Sequence, residues 1–422
     1  MQNMSPSVLE VDIIQSLIFL FLGSNQRTRA LLVRINRSWA AFCRSLACTR
    51  LVLFQPGLFV QGNDPLFNLQ QLQRVPVVHL QFASKVDKRF FESMQSMSHL
   101  ETLTLSYFVD DGASETLATL LGKCTQLRKL ELNFAKFVNP TFIQRLAAST
   151  PKRLESLVLQ YCQNVGDEFF EVLSRTSFPA SLTNLDLFGC TGFGDAGLMT
   201  LASAGFGRLQ RLVLGSSFLK PAQFSDAALF NSIPAFGDLV VLDLSASLVS
   251  DETMNKIVSR LPRLLILKLA SCPRISFTAS SASSASSASS SPPFSDLSPL
   301  HKNGDLHPLR HLALETLCLS DCPRMSDDGL QTVAHRFPGL HNLDLSFCSQ
   351  LTDVGLAALK SLPSLQSLKL VFASSITSVG IEHLLRLKSL RYVNFRNCPL
   401  VDQPDFEPLH NLSTKPDLIL EH

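Results

Sequence analysis

The sequence predicts an α/β solenoid, with parallel strands on a concave face, helices on a convex face and a small helical module at the N-terminus. Three observations predict it. The pattern L-x-x-L-x-L recurs, with first residues at Val77, Leu100, Leu127, Leu154, Leu182, Leu209, Leu239, Leu264, Leu314, Leu340, Leu365 and Leu390. Six of the ten cysteines share one phase of that pattern, three residues beyond its last apolar slot. Residues 9–50 follow a helical pattern instead.

Composition sets the outer bounds. The chain has 422 residues, 45% hydrophobic and 17% charged, so it can bury a large core. A net charge of +2 gives no strong electrostatic case for nucleic acid or an anionic membrane as partner, and leaves a local basic patch open. Ile13–Leu22 is about half of the ~20 residues a membrane span needs, and reads as a buried amphipathic helix. Glu10 and Asp12 stand where a secretory signal carries positive charge, so the thiols are expected to be reduced.

The N-terminal module, residues 1–50, comes first. A helical run containing Ile14, Ile18, Phe19 and Leu22 is followed by Gly23–Ala30 and a second run with the only tryptophan, Trp39. Ile18-Phe19-x-x-Leu22 and Ile35-Asn36-Arg37-Ser38-Trp39 resemble the I-F-x-x-L and V-C-R-x-W segments of the F-box. Glu10-Val11 stands where that family has Leu-Pro. The resemblance implies a Skp-type adaptor as partner, and through it a cullin scaffold. It gives Ile14, Ile18, Phe19 and Leu22 the adaptor-contacting role, Trp39 a place in the module's own core, and the protein a cytoplasmic and/or nuclear location. The other reading of the same helices is a plain cap over the first repeat.

The array, residues 51–420, follows. Its units start 23–30 residues apart except for one gap of 50, which holds either a degenerate unit or an insertion. Slots 4 and 6 of each unit point to one side of a short strand, and slots 3, 5 and 7 to the other. No unit can bury its apolar side alone, so neighbours stack into one core. Strands stack about 4.8 Å apart and helices about 8–10 Å apart, so the array bends with its strands inside. The chain resembles the leucine-rich-repeat family. Cys162, Cys190, Cys272, Cys322, Cys348 and Cys398 mark its cysteine-containing subclass, and Asp167, Asp195, Asp327 and Asp353 follow at the helix starts as expected caps. The six thiols read as buried rungs rather than metal ligands or disulfides.

Gly192-Phe193-Gly194-Asp195-Ala196-Gly197 fits the dinucleotide fingerprint G-x-G-x-x-G. Gly194-Asp195 and Gly197, however, occupy ordinary repeat positions, and the acidic residue expected about 20 positions on is missing. The match is read as repeat architecture.

Two irregular stretches remain. The Ser/Ala/Pro-rich segment at about 276–308 is expected to be a disordered insertion in one unit. It carries Ser291-Pro292 and Ser298-Pro299 as phosphorylation candidates, and His301 and His307, with His311 just beyond it, at irregular spacing. The C-terminal stretch reads as an atypical last unit with a strand at Leu418–Leu420.

No nucleophile elbow, phosphate loop, H-E-x-x-H or paired C-x-x-C is present, so no catalytic residue, cofactor or metal is expected. A binding surface is expected at slots 3, 5, 7 and 8. Its aromatic members are Tyr107, Phe134, Tyr161, Phe188, Phe347, Phe372 and Tyr392, either anchoring a partner or folding back over the core edge. Its charged members are Asp186, Asp243, Lys268, Asp344 and Lys369, whose mixed signs suit a protein ligand. With the F-box resemblance, this implies a non-catalytic substrate-recognition subunit of a cullin–RING ubiquitin ligase. Without it, a leucine-rich-repeat interaction scaffold remains.

Overall fold

The computed structural model describes residues 50–53, 79–82, 100–106, 114–149, 154–217, 219–278, 314–400 and 418–421. The expected N-terminal module, Tyr107 and most of the Ser/Ala/Pro-rich segment lie outside the described residues.

Among the described residues, fourteen parallel strands form one open sheet in sequence order. They are β1 (Arg50–Leu53), β2 (His79–Phe82), β3 (Thr102–Ser106), β4 (Lys129–Asn133), β5 (Ser156–Val158), β6 (Asn184–Asp186) and β7 (Arg211–Val213). Then follow β8 (Val241–Asp243), β9 (Ile266–Lys268), β10 (Thr316–Cys318), β11 (Asn342–Asp344), β12 (Ser367–Lys369), β13 (Tyr392–Asn394) and β14 (Ile419–Glu421). The slot-4 residue of each strand pairs with the slot-4 residue of the next, as in Leu103↔Leu130, Leu130↔Leu157 and Leu157↔Leu185. The phase read from the sequence is therefore the register of the sheet. These leucines are fully buried. Each stabilises the array by about 1.5–3 kcal/mol relative to exposure.

The helices lie behind the sheet: α1 (Ser114–Lys123), α2 (Pro140–Ser149), α3 (Asp167–Ser174), the single turn α4 (Phe178–Ser181), α5 (Asp195–Ser203), α6 (Asp226–Ser232), α7 (Asp251–Arg260), α8 (Asp327–Arg336), α9 (Asp353–Ala358) and α10 (Ser378–Leu385). Parallel strands need a crossover, and the helices supply them, α3 and α4 sharing the one from β5 to β6, with an apolar stripe such as Leu330, Val333 and Ala334 turned toward the leucines. Helices on one face and strands on the other make a curved leucine-rich-repeat solenoid.

Two ladders of polar contacts tie each unit to its neighbour. In the first, a buried thiol donates to the slot-6 carbonyl of the preceding unit. Cys162 bonds Leu132 O at 3.2 Å, Cys322 bonds Leu269 O at 3.1 Å and Cys348 bonds Leu319 O at 3.1 Å. Cys190, Cys272 and Cys398 do the same to Leu159, Leu244 and Leu370. Burial pushes the Cys162 and Cys348 thiols up to about 12 and that of Cys272 up to about 11, so they stay protonated donors rather than thiolate nucleophiles. Cys124, Cys162, Cys190, Cys272, Cys318, Cys322 and Cys348 are free thiols.

The second ladder corrects an expectation. The helix-start aspartates do not cap their own helices. They reach forward to the next unit. Asp327 accepts Thr352 N at 2.8 Å and the Thr352 hydroxyl at 2.6 Å, and Asp195 accepts both groups of Ser225. Asp226 holds Ser250, Asp251 holds Ser276 and Asp353 holds Thr377 in the same way. Where a side chain caps, it is the preceding Ser or Thr: Ser250 accepts from Thr253 N and Ser326 from Gly329 N, whereas α3 and α5 start after Gly166 and Gly194 with no side-chain cap. The carboxylate thus fixes the hydroxyl that fixes the helix.

The 50-residue gap is an insertion, not a hidden unit. β9 pairs directly with β10, Leu267 opposite Leu317. The residues at the start of the insertion still pack on the array. Ser276 is bonded to Asp251, and Phe277 is buried with its ring 6.4 Å from that of Phe337. Arg336 of α8 reaches across to Asn255 of α7 at this junction. Among the described residues no helix is long and apolar enough to cross a membrane.

Candidate functional site

The strand face is built by the slots between the leucines. At slot 5 the structure separates residues that the sequence treats alike. Asp186 is only 4% exposed and accepts from Gln160 Nε2 at 3.1 Å, with the Arg211 guanidinium at 3.5 Å. Asp243 is 6% exposed, accepts from Ser245 N at 3.0 Å and has Lys268 Nζ at 3.8 Å. These carboxylates organise the face from within. Asp344 is half-buried and accepts from Ser346 N, whereas Lys369 beside it on β12 is exposed. Cys318, half-buried on β10, lies between Lys268 and Asp344 in register.

Slot 8, immediately beyond each strand, is where the chain turns toward the helices. Phe134, Tyr161, Ala246, Ser271, Asp321, Phe347, Phe372 and Asn397 all adopt a left-handed φ of 54–62° there. Gly189 fills the same slot at φ 74°, and the Tyr161 ring lies where its side chain would be. The corner is set by the repeat and suits Gly or Asn. An L-residue there costs about 1–2 kcal/mol. Four units nonetheless carry a large aromatic at this corner, and such strain gathers at functional positions.

These aromatics form two groups. Phe134 stacks on Tyr161 at 4.7 Å, and Tyr161 meets Phe188 edge-on at 5.6 Å. Phe347 stacks on Phe372 at 4.8 Å. Phe134 is 39% exposed, and Phe347 and Phe372 are each 48% exposed. Tyr392 stands apart at slot 3 of β13, half-buried, its hydroxyl bonded to Asn394. The structure therefore brings together the aromatic residues within each group and leaves the two groups apart, one at β4 to β6 and the other at β11 and β12.

Sequence reasoning missed several exposed residues on the loops beyond slot 8. Leu219, Leu248 and Leu400 project from this rim, as do Lys136, Lys220, Arg274 and Arg324. The repeated Cys-Pro-Arg of Cys272-Pro273-Arg274 and Cys322-Pro323-Arg324 was the available signal.

The glycine motif resolves as repeat architecture. Gly194 N and Gly197 N, which a phosphate would need, both donate to Asp167 Oδ1, at 2.8 and 2.9 Å. Gly192 bridges to Gly166 of the preceding unit. Among the described residues no cluster of three His, Cys, Asp or Glu could hold a metal.

Comparison with known proteins agrees with this architecture. The profile of a family described as Leucine Rich repeat matches residues 179–202 and 340–360. No curated protein matches the chain. Among solved structures, the complex of Rad7 and Elc1 in yeast is similar in fold, with TM-score 0.52, 13% identity, and coverage of 99% of this chain and 98% of that one. Internalin inlF from Listeria monocytogenes gives TM-score 0.46 at 17% identity, covering 91% of this chain and 94% of that one. The mouse RP105/MD-1 complex gives 0.43 at 16%, covering 86% and 62%.

Proposed function

We propose that the chain is a substrate-recognition adaptor of an SCF-type cullin–RING E3 ubiquitin ligase, holding target proteins on its repeat surface for ubiquitination and proteasomal degradation in the cytoplasm and/or nucleus. One observation carries the reading. A stretch resembling an F-box, with Ile18-Phe19-x-x-Leu22 and Ile35–Trp39, directly precedes a cysteine-type repeat array. The solved complex of yeast Rad7 with Elc1 supports it to the extent that a chain of similar fold is found with a second protein.

In this reading the N-terminal helices dock a Skp-type adaptor through Ile14, Ile18, Phe19 and Leu22, and the adaptor links to the cullin. The array supplies position rather than chemistry. Tethering a target beside the charged enzyme converts a bimolecular encounter into an intramolecular one, at an effective concentration in the millimolar range for a short tether. No group of the array need act as acid, base or nucleophile.

The test is capture. The wild-type chain is expected to co-purify with a Skp-type adaptor, and Ile18→Ala with Phe19→Ala to abolish this while the array stays folded. A wild type that captures no adaptor under conditions where an established F-box protein does would overturn the ligase reading. Glu10-Val11, in place of the Leu-Pro of the F-box pattern, favours the second reading, a non-degradative repeat scaffold whose N-terminal helices cap the core.

A further inference from the structure

We infer that the partner-binding surface is the rim at the C-terminal ends of the strands, rather than the centre of the concave face, and that it takes an acidic protein segment bearing aromatic or large aliphatic side chains. This rests on the protein-binding reading of the array but not on the ligase assignment.

Six of the ten large exposed apolar residues among the described residues lie at the rim; of the rest, Met199, Val354 and Val379 are on helices and Ile419 is on β14. Phe134, Leu219, Leu248, Phe347, Phe372 and Leu400 all lie at slot 8 or on the loop just after it. Slot 5 offers less, because Asp186 and Asp243 are buried and already bonded. The left-handed corner lifts the aromatic side chains out of the sheet at a backbone position that disfavours them, which core packing does not require.

Charge decides the partner's chemistry. Among the described residues, the exposed charges on the loops beyond slot 8 are Lys136, Lys220, Arg274 and Arg324 against one acid, Asp321, which is hydrogen-bonded by the Ser271 hydroxyl at 2.8 Å. Among the described residues none of these four cations forms a salt bridge. Farther out, at the helix starts, Asp195, Asp226, Asp251, Asp327 and Asp353 are bonded to neighbouring units, while Glu168, Glu252 and Asp328 are exposed in the first helical turns rather than on the rim loops. Apolar anchors interleaved with cations that form no salt bridge, Arg274 donating only to the Leu248 carbonyl at 3.3 Å, complement an acidic segment with apolar side chains. A nucleic acid fits less well, because Phe347 and Phe372 turn their faces to each other at 4.8 Å, as do Phe134 and Tyr161 at 4.7 Å, leaving no gap for a base between them.

A random peptide display library panned against the full chain tests this. The enriched pool is expected to be acidic and rich in Phe, Trp, Tyr or Leu. Its binding should weaken at least tenfold with Phe347→Ala plus Phe372→Ala, and fall as salt rises. The charge-reversal variant Lys136→Glu, Lys220→Glu, Arg274→Glu, Arg324→Glu alters only exposed residues and is expected to select basic peptides instead, with an unchanged circular dichroism melt. Four outcomes would overturn the inference: a pool with no acidic bias, rim variants that bind the pool as the wild type does, a single-stranded oligonucleotide that displaces the pool from the rim, or rim variants that change only the oligomeric state. Adaptor capture, measured in parallel, is expected to be the same for wild type and rim variants, so loss of peptide binding and failure of the ligase reading are told apart.

Discussion

Two neighbouring joints of the solenoid, β9 to β10 and β10 to β11, share a strand layer and differ behind it. In both, leucines face leucines in register and a thiol bonds backward, Cys322 to Leu269 O and Cys348 to Leu319 O. At the second joint Asp327 also reaches forward to Thr352. At the first, no such aspartate contact is present among the described residues: Asp251, which holds Ser276 and Phe277, belongs to the β8 to β9 joint, and at β9 to β10 Gly329 of α8 abuts the Ser276 carbonyl. The strand layer demands the repeat, and the helical layer tolerates its interruption.

The same accounting runs along the array from β4 to β13. Joints without the thiol, β6 to β7, β7 to β8 and β11 to β12, have the aspartate contact. Joints without the aspartate, β4 to β5, β9 to β10 and β12 to β13, have the thiol. No described joint in this span lacks both.

The largest effects should break the comparison by erasing what the joints share. Leu317→Ala and Leu343→Ala each remove a buried slot-4 side chain and are expected to cost about 2–5 kcal/mol in chemical unfolding, to a similar degree. A cost at one position under half that at the other would show that the strand layer is not uniform. Next, Gly329→Ala would drive a Cβ into the Ser276 backbone, while Gly355→Ala would meet the Asp327 carboxylate and its Cα at 3.2 Å. Both are overpacking changes of about 1–3 kcal/mol, with the greater drop in thermal midpoint expected at Gly329, where backbone must move. Equal midpoints would place the constraint elsewhere.

Smaller effects sharpen it. Cys322→Ala leaves the Leu269 carbonyl without its donor, at about 1 kcal/mol, and Cys322→Ser should recover most of that. Because the first joint lacks the aspartate clamp, hydrogen exchange of the amides around β9 and β10 should accelerate more in Cys322→Ala than those around β11 do in Cys348→Ala. Equal acceleration would mean that the aspartate contact adds nothing to a joint. The smallest effect is in pH. The Cys348 thiol, raised to about 12 by burial, is protonated in both states below about pH 8.5, where its contribution is complete. Above that the unfolded chain loses the proton and the folded chain keeps it, so stability should fall as pH rises toward 12. Cys348→Ser should flatten that slope, and an unchanged slope would contradict the burial.

The sequence and the structure agree most closely where a residue's role follows from periodicity alone. The slot-4 leucines and the thiol phase are legible because one side of a short strand must be buried, and the register of β1 to β14 follows. Asp327 was misread because a carboxylate at a helix start is near two sets of amides, its own and the next unit's, and spacing does not choose between them. Asp186 and Lys369 share a slot and differ in burial because Gln160 and Arg211 close over the first. The rim was only half legible. Its aromatic residues fell in a named slot, but its lysines and arginines sit on loops of varying length, where phase is lost.

The two ladders point in opposite directions, the thiol backward and the aspartate forward. A load applied along the axis would therefore meet joints of unequal strength. Units joined by both contacts, β5 with β6, β8 with β9 and β10 with β11, should travel together as blocks. The array would come apart as a short train of paired carriages, uncoupling first where a single link remains.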